Sequence, residues 1–172
     1  MHHSVSGKIT INNKKLKLKN GIGYIEKDYG TSFPKKYLWL HSNTSKTPSK
    51  ISLTLSNAHI PFGLTSFQGF FCILLLNNKE YYFTTYYKNK IKIEQLNNEK
   101  LHITLKNKKY ELDLIVIPIP GHKLIAPKHG TMIKTITENL NTSIVLNLKE
   151  RKTNKTIYND YLINAGFEYV PN

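Results

Sequence analysis

Polar and apolar residues alternate along most of this chain, the period expected of strands with one buried face. Lys8-Ile9-Thr10-Ile11 alternates, Asn12-Asn13 interrupts, and Leu16-Lys17-Leu18-Lys19 resumes, which predicts a hairpin. The pattern returns in Ile51-Ser52-Leu53-Thr54-Leu55, Ile91-Lys92-Ile93-Glu94, Leu101-His102-Ile103-Thr104-Leu105 and Tyr110-Glu111-Leu112-Asp113-Leu114. The last two meet around Asn107-Lys108 and predict a second hairpin. Past a break at Pro118-Ile119-Pro120-Gly121, further short strands are expected at Met132–Thr137, Ser143–Leu148, Thr156–Asp160 and Gly166–Val170. The run Gly69-Phe70-Phe71-Cys72-Ile73-Leu74-Leu75-Leu76 is apolar throughout and closed by Asn77-Asn78. It suits a strand buried on both faces and falls well short of the roughly 20 apolar residues of a membrane-spanning helix. No stretch reads as a long amphipathic helix. About ten short strands joined by Asn, Gly and Lys turns predict an all-β chain, an antiparallel barrel or sandwich.

At 172 residues, without internal repeat, linker or low-complexity segment, the chain is read as one domain spanning 1–172. Met1-His2-His3-Ser4 lacks the basic and then apolar regions of a secretory signal, so a cytoplasmic protein is expected. The single Cys72 lies inside the apolar run and reads as a small core residue. The net charge of +14 raises the question of nucleic acid. Against it, every cation but Arg151 is Lys, so the forked guanidinium that grips phosphate and reads guanine edges is nearly missing. The lysines are scattered and alternate with apolar residues as solvent faces of strands do. No specific nucleic-acid binding is expected; weak association with an anionic membrane surface fits the charge equally well.

Recognisable catalytic motifs are few. Gly21-Ile22-Gly23 has Glu26 where a dinucleotide loop needs a third glycine, and no helix follows. There is no P-loop, no paired cysteine ligands and no Gly-x-Ser-x-Gly elbow. His122 and His129 flank Leu124-Ile125-Ala126-Pro127 as loop residues, and no metal is assigned to them. The aromatic stretch Tyr81-Tyr82-Phe83-Thr84-Thr85-Tyr86-Tyr87 reads first as cross-strand packing and second as the lining of an apolar cavity.

One segment stands apart: Gly21-Ile22-Gly23-Tyr24-Ile25-Glu26-Lys27-Asp28-Tyr29-Gly30-Thr31-Ser32-Phe33-Pro34, followed by Tyr37 and Trp39. It resembles the tocopherol cyclase-like family, whose members carry Gly-Tyr-Ile-Glu-Lys-Asp-Trp-Gly-x-Ser-Phe-Pro ahead of aromatics and a Trp. Leu124-Ile125-Ala126-Pro127, Gly130-Thr131-Met132, Thr137-Glu138-Asn139-Leu140 and Ala165-Gly166-Phe167-Glu168-Tyr169-Val170 look like the corresponding family segments. Tyr29 stands where the family usually has Trp, and His41 near a position where Gln is usual. The resemblance implies a lipocalin-like β domain corresponding to the second, C-terminal half of the family's two. It further implies a hydrophobic small-molecule ligand and a second lipocalin-like domain or chain as partner.

It also implies a cofactor-independent reaction in which a prenylated quinol, or a related prenyl lipid, is protonated on its alkene and closed to a ring by the phenol oxygen. That chemistry needs a protonated carboxylic acid, aromatic faces for the tertiary cation and exclusion of water. Glu26 and Asp28 are the candidate acids: in an extended strand they share one face, where mutual repulsion raises one pKa. Tyr24, Tyr29, Phe33, Tyr37 and Trp39 are the candidate substrate-binding aromatics. Two alternatives stay open: the carboxylates pair with Lys27, Lys35 or Lys36 and organise a turn at Gly30, or the domain binds an apolar ligand without catalysis.

Overall fold

The computed structural model describes residues 1–97 and 100–171. Its strands, in chain order, are β1 (His3–Ile11), β2 (Lys14–Gly23), β3 (Tyr37–Ser42), β4 (Thr44–Ser45), β5 (Ile51–Phe62), β6 (Thr65–Leu76), β7 (Lys79–Thr84), β8 (Lys90–Gln95), β9 (Leu101–Lys106), β10 (Tyr110–Ile117), β11 (His122–Lys128), β12 (Thr131–Glu150) and β13 (Lys155–Val170). Every pairing among them is antiparallel. The all-β antiparallel reading therefore holds. Among the described residues no helix is long and apolar enough to cross a membrane.

β1 and β2 form a separate two-stranded ribbon. Asn12 and Asn13 both take positive φ, 48° and 65°, the left-handed pair that a two-residue turn between twisted strands demands. Asn77-Asn78 repeats the device between β6 and β7, at 48° and 67°. The remaining strands form one sheet in the order β7-β6-β5-β3-β13-β12-β10-β9-β8, with β4 beside β13 and β11 beside β12. β7 and β8, at the two ends, do not pair, so the sheet is not a closed barrel. Its ends approach through side chains: Asn107 donates to the Tyr82 carbonyl at 3.0 Å, and the Tyr81 and Tyr110 rings meet edge to face at 4.9 Å.

The rolled sheet wraps one core. Leu38 and Leu40 of β3, Leu53 and Leu55 of β5, Phe83 of β7, Ile103 and Leu105 of β9, Leu112 and Leu114 of β10, and Ile144 and Leu146 of β12 are fully buried. Cys72 is buried among them, and burial pushes its thiol well above the usual range. Tyr81 and Phe83 join the core whereas Tyr82, Tyr86 and Tyr87 face solvent, so the aromatic stretch packs the sheet. The apolar run in β6 is buried on one face only: Phe70, Cys72 and Leu74 point in, and Phe71 is exposed because no second layer covers β6 there.

Two pairs of expected short strands are single long ones. β12 runs unbroken through Asn139-Leu140-Asn141-Thr142, where shifts of register relative to β13 absorb the irregularity without ending the strand. β13 likewise spans both the 156–160 and 166–170 segments. β10 and β11 pair in succession with β12 across the Pro118–Gly121 break. Gly121 approaches β12 so closely that a Cβ there would lie 2.5 Å from the Glu138 carbonyl oxygen.

Candidate functional site

In β3, Leu38 and Leu40 face the core, and alternation turns Tyr37, Trp39 and His41 to the outer face of the sheet. The neighbouring strands present Thr54 opposite His41 on β5 and Glu168 opposite Trp39 on β13, and Glu138 of β12 stands opposite Glu168. The register thus lays Trp39, Glu168 and Glu138 side by side across three strands.

Over this outer patch runs the segment Tyr24 to Lys36, which is irregular rather than extended. The strand geometry expected to place Glu26 and Asp28 on one face is therefore absent. The loop brings them together by its own course: the Tyr24 hydroxyl donates to the Glu26 carboxylate, the Trp39 indole Nε1–H donates to the same carboxylate oxygen at 3.1 Å, and Asp28 lies beside Glu26. Partial burial, reinforced by the adjacent Glu26 charge, raises the Asp28 pKa above the usual carboxylate value. Both carboxylates remain exposed to solvent.

The loop is fixed at three points. The Tyr24 ring stacks on His41, with centroids 3.6 Å apart and planes at 20°, and its hydroxyl lies 3.0 Å from Thr54 Oγ1. At the far end Gly130 N donates to the Thr31 carbonyl at 2.8 Å, and His129 N to Ser32 Oγ at 2.8 Å. The Lys134 ammonium donates to the Pro34 carbonyl at 3.0 Å and lies over the Tyr37 ring. Ser32 and the Phe33-Pro34 pair therefore serve to dock the loop on the β11–β12 hairpin. Neither Glu26 nor Asp28 forms an ion pair with Lys27, Lys35 or Lys36 within 4.0 Å.

The other candidate aromatics divide. Tyr37 is buried and donates to Glu168 at 2.7 Å, with Phe33 edge-on to its ring at 6.0 Å. Tyr29 is 95% exposed, and among the described residues it forms no hydrogen bond or ring pair with these groups.

Three residues that the sequence reading left out belong to the patch. Glu168 is half-buried; burial and then the charges of Glu138 and Glu26 raise its pKa, against the opposing pull of the Tyr37 hydrogen bond. Glu138 stands beside it. His41 is held neutral, its pKa lowered to about 4 mainly by burial, and its Nε2 is buried without a partner. Glu138 and Glu168 lie within segments that carried the family resemblance, and strand register alone brings them together. What results is a surface on which two adjacent loop carboxylates and a half-buried third lie against the rings of Tyr24, Trp39, His41 and Tyr37.

The family comparison agrees over nearly the full length, since the description of tocopherol cyclase-like proteins matches residues 1–169. The chain belongs to the tocopherol cyclase-like family. No curated protein and no solved structure matches it. Within the matched span fall all five candidate aromatics, Glu26, Asp28, Glu138 and Glu168.

Proposed function

We propose that this tocopherol cyclase-like chain catalyses a cofactor-independent ring closure of a prenylated quinol or related prenyl lipid, with Asp28 as the proton donor and Glu26 as its positioned neighbour. The observation that carries the reading is the Glu26 carboxylate, pinned by Tyr24 and Trp39 beside an Asp28 whose pKa is raised. Asp28 gives up its O–H proton to the CH carbon of the trisubstituted alkene, and a tertiary carbocation forms on the neighbouring carbon. The faces of Trp39 and Tyr24 stabilise that cation. The phenol oxygen closes on it, forming the C–O bond, and the phenolic proton returns to the carboxylate pair. Substrate and product are isomers, so no redox partner or external acid is consumed. The bound prenyl chain itself covers the exposed carboxylates and excludes the water that would trap the cation.

A second reading is non-catalytic binding of an apolar ligand. A cleft of about 330 Å³ opens on the inner side of the sheet between Leu101, Pro118, Ile119, Phe167 and Tyr169, and among the described residues no acidic side chain lines it. A second lipocalin-like domain or chain fits both readings as a partner that encloses the ligand.

Native mass spectrometry with prenylquinols and fatty lipids, followed by product analysis, separates the two. A bound quinol turned into an isomer of equal mass, with turnover lost in Asp28→Asn, supports the enzyme. Binding that survives both Asp28→Asn and Glu26→Gln without any conversion supports the carrier.

A further inference from the structure

Two hairpins extend beyond the body of the sheet at the same end. β3 starts at Tyr37, opposite Ala58 of β5, so the β5–β6 hairpin continues past β3 with only its own two strands paired from Ile60 to Phe67. β13 ends opposite Tyr37 and pairs with β12 only from Glu138 onward, so the β11–β12 hairpin also runs past it. The loop 24–36 lies between them, its Lys36 carbonyl accepting from His59 N and its Ser32 from His129 N.

The β5–β6 tip is apolar and exposed, and the β11–β12 hairpin carries exposed apolar side chains on its strands, behind the polar turn Lys128-His129-Gly130-Thr131 on which the loop docks. Phe62 is 71% exposed and Leu64 fully so, around Gly63 with its φ of +58°. Ile125, Met132 and Ile133 are each at least 60% exposed. Neither 59–68 nor 122–134 contains an acidic residue, while Lys35, Lys36, Lys123 and Lys128 stand exposed on the same end. Separate protruding apolar groups ringed by lysine match a bilayer boundary, where short side chains enter between headgroups and lysines meet lipid phosphates, each adding attraction at an anionic surface.

We propose that this end of the sheet docks on an anionic lipid bilayer, inserting the Phe62-Gly63-Leu64 tip and the Ile125/Met132 flank of the β11–β12 hairpin while Lys35, Lys36, Lys123 and Lys128 contact the headgroups. Docking would set the Tyr24–Lys36 loop, between the tips, against the membrane surface.

Vesicle sedimentation tests it, using vesicles of equal parts phosphatidylcholine and phosphatidylglycerol beside pure phosphatidylcholine, at low and high salt. The variants are Phe62→Ser/Leu64→Ser and Ile125→Ser/Met132→Ser, all at exposed positions, with circular dichroism to verify the fold. The expected result is binding to the anionic vesicles that weakens with salt and falls roughly tenfold or more in each tip variant. Asp28→Asn, which removes a negative charge from the loop between the tips, should bind at least as tightly as the unaltered chain, which separates this surface from the catalytic reading. Equal sedimentation of the unaltered and tip variants would overturn the proposal, leaving charge alone as the cause. So would absence of binding, or a dimer in solution that the tip substitutions dissociate, which would make a second copy the occupant.

Discussion

Trp39 rests on Gly166: a Cβ at position 166 would lie 2.8 Å from the indole Cζ3. That contact holds the ring where its Nε1–H reaches Glu26, so the smallest residue on β13 positions a loop carboxylate on the far side of the indole. Gly166→Ala should push the indole outward and lengthen or break the bond to Glu26. The expected loss is about 1–3 kcal/mol of stability, read by urea denaturation. Trp39 is the only tryptophan, so its emission should shift to the red in the folded variant.

The strands that form one face of the core were legible because their alternation is nearly unbroken, as in Leu101–Leu105 and Tyr110–Leu114. The length of β12 was not, because Asn139-Leu140-Asn141-Thr142 carries turn-forming residues that the fold takes up as irregular pairing with β13. Strand periodicity predicts the proximity of Glu26 and Asp28 for the wrong reason, since stacking on His41 and docking on His129 and Gly130 hold the loop instead. Glu168 and Glu138 are 30 positions apart and meet only through strand register, which no local pattern in the sequence announces.

Two half-buried groups give the stability opposite dependences on pH. His41 has a folded-state pKa of about 4 against 6.5 in the unfolded chain, so its contribution is present above 6.5 and lost as pH falls toward 4. Glu168 has a raised pKa, so its contribution is present below the unfolded value of 4.5 and lost as pH rises through the folded one. His41→Gln should therefore flatten the decline in stability between pH 6.5 and 4. Glu168→Gln should remove a decline on the rising side. Urea midpoints across this pH range check both.

Tyr37→Phe removes the hydroxyl that donates to Glu168 and leaves a half-buried carboxylate short of a partner. A loss of about 1–3 kcal/mol is expected at neutral pH. Combining it with Glu168→Gln should cost less than the sum of the two changes, because each acts on the same bond. A double-mutant cycle by chemical denaturation measures the coupling.

Ser32→Ala deletes the acceptor for the His129 amide while touching nothing in the core. Global stability should change by no more than about 1 kcal/mol. Amide hydrogen exchange at His129 and proteolytic cleavage within 24–36 should both quicken, showing that the loop is held at this end by its dock on the β11–β12 hairpin.

The most direct test of the central claim, that the loop carboxylates protonate an alkene, is incubation of the purified chain with a prenylated quinol in deuterated water. The expected product is the cyclised isomer carrying one non-exchangeable deuterium at the carbon that received the proton, absent with Asp28→Asn and much reduced with Glu26→Gln. Undiminished cyclisation by Asp28→Asn, or bound quinol recovered unchanged from the unaltered chain, would contradict it.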